Sequence, residues 1–391
     1  MEQQRYLELP IRSDLESKMV FLAGPRQVGK TVLARRILAE SEAGVYLNWD
    51  NRGDRKEIRA ARWPGGNALV VLDELHKWRS WKGWIKGEFD KHRERLRFLV
   101  TGSARMDTYR RGGDSLQGRY QHFRLHPFSL AELESSHASD PPTPGTELTI
   151  PNRASQDLLA SLVKFGGFPE PFLRQSERTL RRWQKDRLDR FFREDVRDLE
   201  RVHDLATLQI LADLLPERVG SPLSLNALRE DLEVSHRAVS GWVEILERLY
   251  HVFRLPPYVS TKVRGLRKMP KLYFWDWSLV IDPGPRFENL IASHLLKLTH
   301  FLQDRDGHTV ELRYLRDRTG REVDFLILVG RKPWMAVEAK ISATQIDPAL
   351  FYFRDRLKIP WVYQVVQEGE RDFVQDGIRC LPADRFLAAL V

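Results

Sequence analysis

The sequence predicts a multidomain α/β protein built on a parallel-sheet nucleotide-binding core, and three observations carry that expectation. Met19 to Leu22 form a short apolar run that breaks into Gly24-Pro-Arg-Gln-Val-Gly-Lys-Thr31, after which Leu33, Ile37 and Leu38 recur at helical spacing. Asn67-Ala-Leu-Val-Val-Leu-Asp-Glu74 is a second apolar strand, and it ends on an acid pair. Far downstream, Arg321-Glu-Val-Asp-Phe-Leu-Ile-Leu-Val329 and Trp334-Met-Ala-Val-Glu-Ala-Lys-Ile341 read as two further strands, each bearing acids.

The first strand, loop and helix are the setting a phosphate cradle requires. Gly24 and Gly29 let the backbone bend so that successive N–H groups face phosphate oxygens, and Pro25, Arg26, Gln27 and Val28 complete the loop. Lys30 is placed to neutralise β and γ phosphates, and Thr31 to ligate Mg²⁺. In the second strand Asp73 is the candidate to hold Mg²⁺ and Glu74 the candidate to polarise an attacking water. No Asn-Lys-x-Asp guanine-reading motif accompanies them, so ATP is the expected nucleotide and hydrolysis the expected reaction. Leu96-Arg-Phe-Leu-Val-Thr-Gly-Ser103 is a third strand whose tip offers Thr101 or Ser103 as a hydroxyl near the γ-phosphate or its water. Arg119, in Gly112-Gly-Asp-Ser-Leu-Gln-Gly-Arg-Tyr120, is a candidate cation for the chain's own nucleotide or for a neighbouring subunit of a homo-oligomer. Arg105, Arg110 and Arg111 compete with it for that role.

A chain of 391 residues exceeds one compact core, and its 42% hydrophobic content is ordinary for a water-soluble protein. The formal net charge of +9 favours phosphate polyanions as partners. A single cysteine, Cys380, excludes an internal disulfide and a cysteine-based zinc site. No apolar run approaches the length needed to cross a bilayer, so the expected setting is the cytoplasm, with no membrane contact. The stretch Asp140-Pro-Pro-Thr-Pro-Gly145 is linker-like.

The expected division is a nucleotide-binding domain over 1–140, a helical lid over 141–204, a winged helix over 205–278 and a C-terminal α/β domain over 279–391. Leu158 to Lys164 and Leu180 to Leu199 have helical periodicity, with Phe165-Gly-Gly-Phe-Pro-Glu170 as the turn between them. Leu208, Leu211, Leu214 and Leu215 mark a further helix; Leu225, Leu228 and Leu232 a second; Val239, Trp242, Ile245, Leu246 and Leu249 a third, with Ser235 as its N-cap. Phe253 to Pro257 and Lys271 to Trp275 read as strands of a wing. Between them Lys262, Arg264, Arg267, Lys268 and Lys271 occur without an acid, which makes them candidate phosphate-backbone contacts of DNA.

Gly24-Pro-Arg-Gln-Val-Gly-Lys-Thr31, Leu72-Asp-Glu-Leu75, Thr101-Gly-Ser103, Gly118-Arg119 and His126-Pro-Phe-Ser-Leu-Ala-Glu132 together resemble the bacterial and archaeal AAA-type ATPases of the STAND-like branch. The resemblance implies a parallel-sheet ATPase core with Lys30 and Thr31 on nucleotide and Mg²⁺, Asp73 and Glu74 as the acid pair, and Ser103 as a polar sensor. It also assigns the Gly-Gly-Phe-Pro element to a lid.

In the C-terminal third, Glu338 and Lys340 stand two apart on one strand and share a face, while Asp324 can meet Glu338 across a hairpin. Two carboxylates there would suit a hard divalent cation, Mg²⁺ or Mn²⁺, and Lys340 could orient a water for attack on phosphate. The pattern resembles the PD-(D/E)XK, restriction-endonuclease-like superfamily, with Glu288 in the preceding helix implied as a further metal-side acid and Gln364 as a polar core residue. Glu322-Val-Asp324 stands where the leading Pro-Asp belongs. The resulting expectation is an ATPase acting on nucleic acid with a nuclease-like C-terminal domain; the alternative is a non-nucleolytic ATP-dependent switch or scaffold whose C-terminal domain binds a partner.

Overall fold

The computed structural model describes residues 4–102, 116, 118–134, 141–196, 204–259, 269–343 and 345–391. They pack as two compact units, Met1–His126 with Arg248–Tyr250, and Pro127–Glu247 with His251–Val391.

The first unit is organised on a five-stranded sheet. Its strands are β1 (Met19–Ala23), β2 (Gly44–Asn48), β3 (Ala68–Asp73), β4 (Leu96–Thr101) and β5 (Tyr120–Arg124), in the spatial order β2-β3-β4-β1-β5. Every pairing is parallel. A parallel sheet needs crossover helices on its faces, and this is why β1 and β3 are buried along their whole length and read as continuous apolar runs. Helices Lys30–Ala39, Arg52–Ala60 and Trp81–His92 supply the crossovers. The carboxyl ends of β1, β3 and β4 lie side by side, the place where open α/β sheets bind ligands.

The second unit begins with helices Gln156–Phe165, Pro169–Arg174 and Glu177–Arg190, the last passing into a π-helical turn at Phe191–Val196. Helices Leu205–Leu214 and Leu225–Asp231 follow, then a helix starting at His236 that Ser235 caps by accepting the Ala238 N–H at 3.1 Å. Strands β6 (Val252–Leu255) and β7 (Lys271–Phe274) pair antiparallel. The long helix Pro283–Asp306 leads into a six-stranded mixed sheet ordered β12-β13-β11-β10-β9-β8. Its strands are β8 (Val310–Arg316), β9 (Glu322–Val329), β10 (Lys332–Lys340), β11 (Trp361–Val366), β12 (Phe373–Gln375) and β13 (Ile378–Pro382). The β8-β9-β10 meander is antiparallel, whereas β10, β11 and β13 run parallel, with helix Pro348–Leu357 as the crossover between β10 and β11. No helix among the described residues is long and apolar enough to cross a membrane.

Candidate functional site

The loop after β1 is shaped by backbone that only certain residues tolerate. Gly24 has φ +142°, and a Cβ there would lie 2.5 Å from the Leu125 carbonyl oxygen, so the position demands glycine. Gly29 is left-handed at φ 101°, and as the N-cap of helix Lys30–Ala39 it has no side chain to occupy the first-turn N–H groups, an arrangement suited to an anion. Gln27 is exposed and also left-handed, at φ 62°; Arg26 is half-buried, and Val28 is buried. The Lys30 ammonium, buried at the helix start, donates to the carbonyls of Gly24 at 2.9 Å and Pro25 at 2.7 Å, spanning the loop it would share with phosphate. Arg5 braces the cradle from outside: its guanidinium donates to the Val28 carbonyl at 2.7 Å and to the His126 carbonyl at 2.6 Å. No local pattern marks Arg5, because its role depends on residues 23 and 121 positions away.

Asp73, at the tip of β3 and buried, is the hub of the site. Its Oδ2 accepts the Thr31 hydroxyl at 2.8 Å and the Tyr46 hydroxyl at 2.6 Å, while its Oδ1 accepts the Thr101 hydroxyl. Thr31 and Asp73 are thus in direct contact, the pairing expected of residues that would hold Mg²⁺ together. Tyr46 arrives from β2, where the Asn48–Asp73 register places it on the same sheet edge. Burial, then the hydrogen bond to Asp73, push its hydroxyl up to about 12, so it stays a donor at neutral pH. Thr101, proposed from sequence as a phosphate-side hydroxyl, is committed to Asp73; Ser103, the other candidate, lies outside the described residues.

Glu74 departs from the strand. Its backbone is left-handed at φ 57°, a conformation costing on the order of 1 kcal/mol for a residue with a side chain. Its N–H donates to the Thr101 carbonyl at 3.1 Å, fixing the turn beside Asp73. Lys77 Nζ lies 3.2 Å from Glu74 Oε2 and 2.5 Å from Asp50 Oδ2, which orients the carboxylate. The chain therefore stores strain at the acid that water activation would use.

Arg119 is a correction to the expected arrangement. Its carbonyl accepts the Met19 N–H, and the parallel β1–β5 register starts at Met19 and Tyr120, so Arg119 sits at the amino ends of these strands. The phosphate loop leaves the carboxyl end of β1, roughly 16 Å along the five-residue strand. Its guanidinium is instead paired with Asp90, at 2.7 Å from Oδ1 and 3.1 Å from Oδ2. A role on the chain's own nucleotide is excluded by that distance.

The C-terminal acids meet as the sequence suggests, but with different consequences. In the β9–β10 hairpin Asp324 and Glu338 are neighbours, and each carboxylate accepts a backbone N–H from the other strand: Glu338 Oε2 from Asp324 and Asp324 Oδ2 from Ala339, both at 3.1 Å. Glu338 Oε1 accepts the Lys340 ammonium at 2.7 Å, and Lys340 also lies 3.0 Å from Asp347. Burial, reinforced by the Asp324 charge, raises Glu338 above the usual carboxylate range, and the same causes in the same order raise Glu288. Gln364 fills its expected core place, accepting the Asp347 N–H at 2.7 Å and donating to the Gln345 carbonyl at 2.9 Å.

Lys271 is the second correction. Sequence placed it in a DNA-facing basic segment, yet it is 0% exposed. Its ammonium lies 3.0 Å from Glu288, 2.6 Å from Glu322 and 3.1 Å from Asp324. Burial pushes this amine down, but the surrounding anionic groups outweigh it and hold its pKa well above the ordinary lysine range. Tyr273, two residues on and on the same face of β7, donates its hydroxyl to Glu288 at 2.7 Å. Gly220 makes room for Glu288: with φ +74°, it has no Cβ, and one would lie 2.7 Å from the carboxylate. Among the described residues no group of three or more acids, histidines or cysteines is placed to hold a metal ion, and Lys271 stands between Glu288 and Asp324, two of the three acids expected, with Glu338, as ligands for Mg²⁺ or Mn²⁺. Lys262, Arg264, Arg267 and Lys268 lie outside the described residues.

The sequence comparisons agree with the N-terminal geometry. Residues 16–134 match a model described as AAA domain, and residues 156–282 and 283–386 match two domains of unknown function, DUF8612 and DUF4143. The chain is 22% identical over 387 residues to the uncharacterized protein Rv2008c of Mycobacterium tuberculosis, covering 94% of this chain and 81% of that protein. It is 22% identical over 377 residues to the uncharacterized protein MJ1544 of Methanocaldococcus jannaschii, covering 89% and 82%. Among solved structures, the Walker-type ATPase of Pyrococcus abyssi shares 15% identity over 71% of this chain and 95% of that one, with a TM-score of 0.43. The Aeropyrum pernix ORC1 protein in complex with DNA shares 17% over 75% and 94%, with a TM-score of 0.35. The N-terminal part of the chain is an AAA-type P-loop domain.

Proposed function

We propose that the chain is an ATP-binding and ATP-hydrolysing switch that acts on nucleic acid, with its C-terminal domain serving to bind a partner and not to cut it. The observation that carries this reading is the Asp73 hub, which brings Thr31 of the phosphate loop and Thr101 of β4 onto one buried carboxylate, with Glu74 next in the chain. Gly24 to Thr31 would cradle the triphosphate, and Lys30 would exchange its loop carbonyls for β and γ phosphate oxygens. Thr31 and Asp73 are the residues that would hold Mg²⁺, which when bound neutralises charge on the phosphates. Glu74 orients and deprotonates the attacking water, its carboxylate held by Lys77 and its backbone left-handed just past the end of β3.

Nucleic acid as the target rests on the net charge of +9 and on the acid-free run from Lys262 to Lys268. The helices Leu205–Leu214, Leu225–Asp231 and the one starting at His236, followed by the β6–β7 pair, support a winged-helix reading of this region. The β9–β10 hairpin, its flanking helices and the parallel β10–β11 pair support a restriction-endonuclease-like reading of the C-terminal sheet as a fold used for binding. Lys271 among the acids argues against metal-dependent cleavage there.

One experiment tests both halves: ATP turnover and DNA affinity of the intact chain, measured across about 50–200 mM salt with Mg²⁺ and after its chelation. Turnover is expected to vanish on chelation, and DNA affinity to fall steeply with salt. Neutralising Lys262, Arg264 and Arg267 together is expected to reduce the slope of log affinity against log salt by roughly 2 to 3. Turnover that survives chelation removes the ATPase reading, and an unchanged slope removes the basic segment from the contact.

A further inference from the structure

Lys271 has a position that an incidental ion pair does not explain. It belongs to β7, where the register Leu255 to Lys271 and a bridge to Pro222 fix its backbone, and its side chain is only 1% exposed. Its three N–H donors face three carboxylates from two elements: Glu288 on helix Pro283–Asp306, and Glu322 and Asp324 on β9. Glu288 Oε1 also accepts the Tyr273 hydroxyl, and the other oxygens of the acids on β9 and β10 are used as well. Arg316 takes Glu322 Oε2 at 2.6 Å, the Ala339 N–H takes Asp324 Oδ2, and Lys340 and the Asp324 N–H take the two oxygens of Glu338.

A hard divalent cation needs several carboxylate lone pairs turned toward one point. Here the point where Glu288 and Asp324 converge is occupied by nitrogen, and Glu338 is turned toward Lys340 and the backbone. The residues therefore do not suit the metal that a PD-(D/E)XK-like pattern implies.

We infer that Lys271 is the resident cation of this acid cluster, built into the chain where a metal would otherwise sit, and that the cluster takes up no divalent metal while Lys271 is in place. The ammonium supplies the charge balance a metal would give, and it ties β7 to β9 and to helix Pro283–Asp306. It supplies no open coordination position at which a water could be activated. A partner meeting this face is bound without metal-activated hydrolysis.

The test is Mn²⁺ uptake by the intact chain without nucleotide, followed by electron paramagnetic resonance of free Mn²⁺, together with thermal unfolding. The parent is expected to show no Mn²⁺ site that Asp324→Asn removes. Lys271→Met, which keeps the apolar stem and deletes the charge, is expected to unfold roughly 5–10 °C lower and to gain a Mn²⁺ site that Asp324→Asn abolishes. An Asp324-dependent Mn²⁺ site already present in the parent overturns the inference, and so does a Lys271→Met chain that melts with the parent and takes up no Mn²⁺. The parent measurement decides the matter by itself where the variant does not fold.

Discussion

Lys30→Ala is expected to reduce ATP turnover by at least about 10²-fold and to weaken ATP binding as well. The ammonium is buried at the helix start and holds the loop's opening carbonyls at 2.7 and 2.9 Å, so its deletion removes both a phosphate-side charge and a brace of the loop. Alanine also leaves the Gly24 and Pro25 carbonyls without that donor. Steady-state phosphate release and binding of a fluorescent ATP analogue report the two effects separately. Retention of parental turnover would mean that phosphate is handled elsewhere.

The second large effect concerns stability and the His126-Pro-Phe-Ser-Leu-Ala-Glu132 segment. Lys297, in helix Pro283–Asp306, donates to Glu132 Oε2 and Ser129 Oγ, both at 2.7 Å, and the Lys297 and Glu132 side chains are only 2% and 1% exposed. His294, one turn earlier, accepts the Leu130 N–H at 3.1 Å. Lys297→Ala deletes the buried ammonium that pairs with Glu132 and is expected to cost about 3–5 kcal/mol. The double variant Lys297→Met with Glu132→Gln is expected to recover most of that loss, since it removes both charges together. Denaturant unfolding of the two variants checks this, and equal destabilisation of both would show that packing, not charge, governs the site.

Strands with uniform burial were the easiest to read. β1 and β3 are buried and apolar up to their tips, β4 breaks its apolar run at half-exposed Arg97, and all three end beside residues whose chemistry is recognisable, so the loop, Asp73 and Glu74 could be placed from their order alone. β5 gave no such signal: Tyr-Gln-His-Phe-Arg at 120–124 is buried only at His122 and Phe123 and resembles a loop, although it pairs with β1 along all five residues. Its pairing also decides where Arg119 lies, which is why a sequence position close to the motif misled about distance. Tyr46 and Arg5 were hidden for another reason, since each acts on a residue brought near by the sheet and neither has a local pattern. Lys271 shows the opposite failure. Its neighbours in sequence are basic and suggest a solvent face, but β7 turns it inward to carboxylates 17 to 53 residues away.

In the proposed reaction Glu74 activates water at a site whose nucleotide is held by other residues. Glu74→Gln keeps size and left-handed backbone while removing the base, so it separates the two roles. The decisive measurement is ATP binding and phosphate release on this variant in Mg²⁺. Parental ATP affinity is expected, with release slowed by about 10³-fold. Release at the parental rate, or loss of binding and turnover together, would contradict it.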